Sequence, residues 1–155
     1  MTKQQTTALK ITALKITAVL WVIWGLVHAL AGVMPLAQAT SQAFAAIADA
    51  IEPTLLAADY HPAVSGVANQ HGFNPIGLGL ATIIGATLIW RGNMTAIWVT
   101  VMVGGLADVG YFLFLDIPGY VNFVPGTVMT LISGSAIILS FWVWLPSGGK
   151  VSVNA

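Results

Sequence analysis

Four apolar stretches, roughly Ile16–Leu36, Phe73–Trp90, Met94–Leu115 and Val124–Leu145, occupy most of the 155 residues. A hydrocarbon core about 30 Å thick takes about 20 apolar residues of helix, and each stretch supplies that number or slightly fewer. With 57% hydrophobic and 6% charged residues, a water-soluble domain of this length could not hide so much apolar surface. The chain therefore reads as an all-α integral membrane protein, one domain folded as a four-transmembrane-helix bundle.

The few charges are placed unevenly. Lys3, Lys10 and Lys15 precede the first span, Arg91 separates the second from the third, and Lys150 follows the fourth. The segment between spans one and two carries Asp49, Glu52 and Asp59 without a basic residue, and Asp116 stands between spans three and four. By the positive-inside rule both termini and the Arg91 turn are expected in the cytoplasm, as in a bacterial inner membrane, with the acidic loops outside. Trp90, Trp98, Trp142 and Trp144 then fall near the inner boundary, and Tyr60, Tyr120 and Phe123 near the outer one. Trp21 and Trp24 sit deeper, where packing is their expected role. Ala37-Gln38-Ala39 imitates a signal-peptide cleavage site, but the preceding apolar run exceeds a usual signal core and reads as a retained helix.

A direct repeat, Thr7–Ile11 followed by Thr12–Ile16, is expected to prolong the first helix, with Lys15 snorkelling. In the first outer loop Phe44, Ile47, Ala48 and Ile51 recur at helical spacing, which predicts an additional amphipathic helix over Ser41–Glu52, capped by Thr40 or Ser41 and ended by Pro53. Span two has two possible starts: Asn74-Pro75 as an N-cap with proline at N1, or a start near Gly66 with a kink at Pro75. Asp116-Ile117-Pro118-Gly119 suits a type II turn. Gly77, Ala81 and Gly85 form a close-approach face on span two, with Gly25, Gly32, Gly104 and Gly105 offering similar surfaces.

Ionisable residues inside a span are the strongest functional pointers in such a chain. His28 lies past the middle of span one, and Asp108 lies in the outer half of span three. Antiparallel threading brings the two to similar depth. His71 and Asn74 sit at the outer end of span two and Asn122 at the approach to span four, so the polar groups gather towards the outside while the inner half is almost wholly apolar. Three readings follow. In the first, His28 and Asp108 are a structural hydrogen-bonded pair. Alternatively they are the acid/base or orienting groups of an outward pocket for an apolar or amphipathic small molecule, with His71, Asn74 and Asn122 at its rim and Trp24, Tyr111 and Phe112 as its walls. In the third, His28, His71 and Asp108 are candidate metal ligands, or His28 and His71 the axial ligands of a b-type haem. His61, before Pro62, reads as a solvated loop residue.

Other chemistries lack their residues. There are no cysteines, hence no thiol catalysis. No phosphate-binding glycine loop and no G-x-S-x-G elbow occur. Scattered basic residues with zero net charge give nucleic acid no footprint.

The first span, with Trp21-Val22-Ile23-Trp24-Gly25, followed by a long outer segment, is similar to small four-helix bacterial membrane proteins of the DoxX-like kind. The resemblance covers the helix plan. It implies an accessory or structural subunit of a membrane assembly, such as a quinone-linked oxidoreductase. The near-absence of loop at the Arg91 end agrees with a subunit or homo-oligomer poorly equipped for soluble cofactors.

Overall fold

A computed structural model describes residues 3–48 and 50–147. The described residues form helices and turns with no strand, apart from one isolated antiparallel bridge between Ala50 and Val121. Helix α1 runs Lys3–Leu36, α2 Thr40–Ala48 and α3 Pro62–Trp90. Helix α4 runs Met94–Asp116, and α5, Val128–Ser147, is led in by a wide π turn at Phe123–Thr127. Four of these segments, Gln4–Leu36, Pro62–Trp90, Met94–Asp116 and Phe123–Leu145, are long and apolar enough to cross a membrane. Leu30, Ile84, Leu106 and Ile138, one from each, are 62–70% exposed. Such a coat of large apolar side chains on every long helix suits contact with lipid.

The repeat does prolong α1, whose 34 residues reach about 51 Å at 1.5 Å per residue. Lys15 folds back so that Nζ lies 5.3 Å from the centre of the Trp90 ring. Span two begins well before Pro75. The same X-Pro signature operates earlier, where His61 caps the helix by accepting from Ala63 N–H at 3.2 Å and Pro62 takes N1. His61 is the exposed loop residue expected and also serves as the cap, and α3 runs 29 residues in all, continuing through Pro75. Helix α2 starts at Thr40 and stops at Ala48, short of the expected Glu52, while Pro53 opens a 3₁₀ turn to Leu56. Asp49 and the Ile47 and Ala48 side chains of the expected stripe lie outside the described residues, as does Lys150.

Both tight connections are Schellman caps. Gly92 N–H reaches Ile89 O at 2.9 Å and Asn93 N–H reaches Leu88 O at 2.9 Å, with Gly92 at φ +80°. Gly119 N–H reaches Asp116 O at 3.0 Å and Tyr120 N–H reaches Leu115 O at 3.0 Å, with Gly119 at φ +75°. A left-handed residue at the position after the C-cap is the geometry glycine permits. The expected type II turn at Asp116–Gly119 is therefore replaced by a helix terminus. Asn93 at once caps α4, its side-chain oxygen accepting from Thr95 and Ala96 N–H at 3.0 and 3.2 Å.

Antiparallel α1 and α3 meet backbone to backbone at two reciprocal glycine pairs. A Cβ at Gly25 would stand 2.6 Å from Gly79 O, and one at Gly72 would stand 2.9 Å from Gly32 O. The face of α3 packed on α1 is thus Gly72, Gly79 and Thr82, and of Gly77, Ala81 and Gly85 only Gly85 makes a close approach. Gly77 has nothing within 4 Å of its missing Cβ, and Gly85 is buried against Thr100 rather than free for a partner. Gly104 of α4 makes room for the ring of Trp21. Trp21 and Trp24 are both wholly buried, at 0% exposure, which confirms packing as one of their roles. The half of the bundle at the Arg91 end is less uniformly apolar than expected, because it buries the hydroxyls of Thr17, Thr100 and Ser140.

Candidate functional site

Two α1 residues one turn apart hold one α4 carboxylate. Positions i and i+4 share a helix face, so Trp24 and His28 project together. Their rings stack with centroids 3.6 Å apart at 17°. Trp24 Nε1 donates to Asp108 Oδ2 at 2.7 Å, and His28 Nε2 stands 3.6 Å from Asp108 Oδ1. Asp108 lies in the regular stretch Leu106–Tyr111, between π-helical turns at Val101–Gly105 and Phe112–Asp116. Such widened turns recur where a helix must aim a side chain at a site. Ser133 of α5 lies beside the same carboxylate, its hydroxyl donating to Thr130 O at 3.1 Å.

The hydrogen bonds define the imidazole tautomer. His28 Nδ1 lies 2.9 Å from Trp24 O, and a carbonyl oxygen only accepts, so Nδ1 carries a proton. Nε2 is then the nitrogen that faces Asp108 Oδ1. A lone pair on Nε2 set against a carboxylate oxygen would be repulsive, so one proton belongs between them, on either atom. The arrangement is a His–Asp pair that holds one exchangeable proton and is backed by an indole donor.

The pair is not sealed in a dry interface. His28 and Asp108 line a cavity of about 140 Å³ that also takes in His71 and Pro75 of α3, Tyr111 of α4 and Met129 of α5. The side chain of Asp108 is 6% exposed and that of His28 22% exposed, so the histidine is the more accessible partner. Tyr111 rests its hydroxyl against Gly126, where any Cβ would collide with it. The mouth lies at the end where α1 finishes and α3 begins.

Two prolines add acceptors that sequence reading overlooked. Pro35 sits inside α1 and Pro75 inside α3. Proline has no N–H to give the carbonyl four residues earlier, which deprives Ala31 and His71 of their helical donors. Ala31, Pro35, His71 and Pro75 all line the cavity. The signal was present in the sequence as proline four residues after each.

Of the expected site residues, His28, Asp108, His71 and Tyr111 come together on this cavity. Trp24 stands behind the wall as the carboxylate's donor. The others go elsewhere. Asn74 shares a separate shallow surface with Phe73 and Gly77. Phe112 is 44% exposed on the outside of α4. Asn122 donates through Nδ2 to Ala50 O at 3.2 Å and ties the two outer connections together. The metal reading finds no geometry, since among the described residues no three His, Asp or Glu side chains converge as ligands. A haem fits no better. His28 Nδ1 is engaged by Trp24 O, and a cavity of about 140 Å³ is far too small for a porphyrin.

Comparison with models of protein families, with characterised proteins and with solved structures finds no match to this chain.

Proposed function

We propose that the protein binds, within the membrane, a ring-sized apolar molecule carrying a hydroxyl or carbonyl group. The observation that carries this reading is the convergence of His28, Asp108 and His71 on one cavity. An engineered apolar cavity of about 150 Å³ accepts benzene, so the 140 Å³ here suits a single ring with small substituents. Val27, Met129 and the proline rings supply apolar walls. A ligand hydroxyl entering between His28 Nε2 and Asp108 Oδ1 meets an acceptor on one side and the shared proton on the other. That is the minimum equipment for proton exchange with the ligand, and it places the chain on the border between a binding protein and a small acid/base enzyme.

The test uses 4-fluorophenol, with fluorobenzene as the apolar control, followed by ¹⁹F NMR on the purified protein in mild detergent. One saturable site is expected for fluorophenol. His28→Ala should weaken it about tenfold or more, the worth of one buried hydrogen bond to a charged group. Met129→Trp should remove it by filling the cavity. Saturable binding that survives both substitutions sinks the proposal.

A subunit role is the second reading. Its support is the exposed notch at Gly77 on α3, which a neighbouring helix of small residues would fit. A single-copy mass in mild detergent, from a protein that binds fluorophenol fully, would remove it.

A further inference from the structure

A second feature lies at the opposite end of the bundle, away from the cavity. An open groove of about 370 Å³ runs between α1 and α3, walled by Val19, Val22, Ile23 and Ala86 and closed at its end by Trp90 and Arg91. It shares Val19 and Trp90 with a neighbouring depression of about 280 Å³ beside Lys15. The two form one apolar furrow with a cation on each side of its head.

Among the described residues neither cation has a carboxylate partner. The ion pair among the described residues is His28–Asp108, and Glu52, Asp59 and Asp116 belong to the connections at the other end. Lys15 is engaged with the face of Trp90, which leaves its charge intact. Arg91 is exposed, directly after the last residue of α3. Its backbone N–H is spent on Thr87 O and Leu88 O, but its guanidinium serves no cap. Trp90 and Trp98 flank this level, 48% and 42% exposed, as interfacial aromatics do.

We infer that this furrow is a binding site for one anionic phospholipid. Its phosphate would be held between Arg91 and Lys15 and one acyl chain laid along Val19, Val22 and Ile23. The guanidinium fork matches the phosphate of any phospholipid, but a choline headgroup offsets that phosphate with its own cation, so two unneutralised cations favour the lipid of net negative charge. The apolar trough gives the site a lipid requirement that free phosphate does not satisfy. The inference stands apart from the His28–Asp108 cavity and does not depend on which way the chain is threaded.

Native mass spectrometry of the full chain decides it. Protein in an uncharged detergent is offered equal amounts of dioleoyl phosphatidylglycerol and dioleoyl phosphatidylcholine. One phosphatidylglycerol should be retained in preference. Arg91→Gln and Lys15→Gln should each lower that preference about fivefold, the effect of one basic residue near an anionic surface. Lys10→Gln, which makes the same charge change off the groove, should leave it within a factor of about two. Val19→Trp, at a 48% exposed position, should expel the lipid without touching a charge. Should that variant not fold, the three charge variants suffice. Equal retention of the two lipids overturns the site. So does a Lys10→Gln loss as large as that of Arg91→Gln, or displacement by an equal concentration of glycerol phosphate, or occupation of the groove by a second copy of the chain.

Discussion

Exchanging Asp108 for asparagine should separate the architecture of the pair from its chemistry. The introduced amide has the same shape. Its oxygen can accept from Trp24 Nε1, as Oδ2 now does at 2.7 Å. Its NH₂ can donate to His28 Nε2, which faces Oδ1 at 3.6 Å and is free to accept because Nδ1 keeps its proton for Trp24 O. Every hydrogen bond survives, so stability should stay within about 1 kcal/mol of the parent. Asp108→Ala differs in both respects. It strands the indole N–H of a residue that is 0% exposed, at about 1–3 kcal/mol, and opens a void that adds about 1 kcal/mol more. Denaturation in sodium dodecyl sulfate, followed by far-ultraviolet circular dichroism, should therefore order the variants as parent, asparagine, alanine. Fluorophenol binding should order them otherwise. In the asparagine variant a donor replaces Oδ1, and the exchangeable proton is gone. A ligand hydroxyl then loses its charged acceptor, and affinity should fall about tenfold or more. An asparagine variant as unstable as alanine would refute the hydrogen-bond assignment. One that binds fluorophenol like the parent would refute the role of the carboxylate.

The glycine contacts predict opposite effects of one substitution at two sites. Gly25→Ala drives a methyl to 2.6 Å from Gly79 O and should cost about 1–3 kcal/mol, whereas Gly77→Ala meets open space and should gain about 0.5–1 kcal/mol, both read in the same denaturation assay. For orientation, the absence of cysteine leaves a clean background in which Asp59→Cys should react with an impermeant maleimide on intact cells and Arg91→Cys should not. The reverse pattern would invert the proposed topology.

The spans were legible because hydropathy over some 20 residues is a bulk property, set by the bilayer and indifferent to detail. Their ends were not, because the same local grammar occurs twice. His61-Pro62 and Asn74-Pro75 both read as cap and N1, and only packing of Gly72 against Gly32 explains why the helix must already exist before Pro75. The glycine register failed for a related reason. A four-residue spacing of small residues, Gly77-Ala81-Gly85, looks like one contact face, yet of the three only Gly85 is packed, against Thr100 of α4, and the contacts with α1 fall seven residues apart, at Gly72 and Gly79. They match Gly25 and Gly32 on α1, two turns apart. The partner helix, absent from any single-helix reading, selects the register. The turn at Gly119 was located correctly but its type was not, because Pro118-Gly119 fits both a type II turn and a helix C-terminus.

The site divides along the same line. His28 and Asp108 were legible because an ionisable side chain within a span demands a partner, and the chain offers few. Tyr111 and Phe112 stand three and four residues after Asp108, on either side of its face, and sequence could not choose between them. The cavity takes Tyr111, and Phe112 turns outward. Trp24 was expected as an apolar wall, but its indole N–H is the donor that fixes the carboxylate. That role depends on the rotation of α1 against α4, which Gly104 permits by yielding space to Trp21 one turn away. The concentration of polar groups at one end then has a physical cause. A carboxylate buried among apolar helices must be matched by a donor, and Trp24 supplies it from another helix. A histidine whose second nitrogen is pinned to its own backbone completes the match while leaving one edge towards the cavity. A purely structural pair would gain nothing from that open edge, nor from two prolines that deprive neighbouring carbonyls of their donors at the same wall. These features cost helix stability, and under the proposed function a bound molecule with a hydrogen-bonding group would offset them.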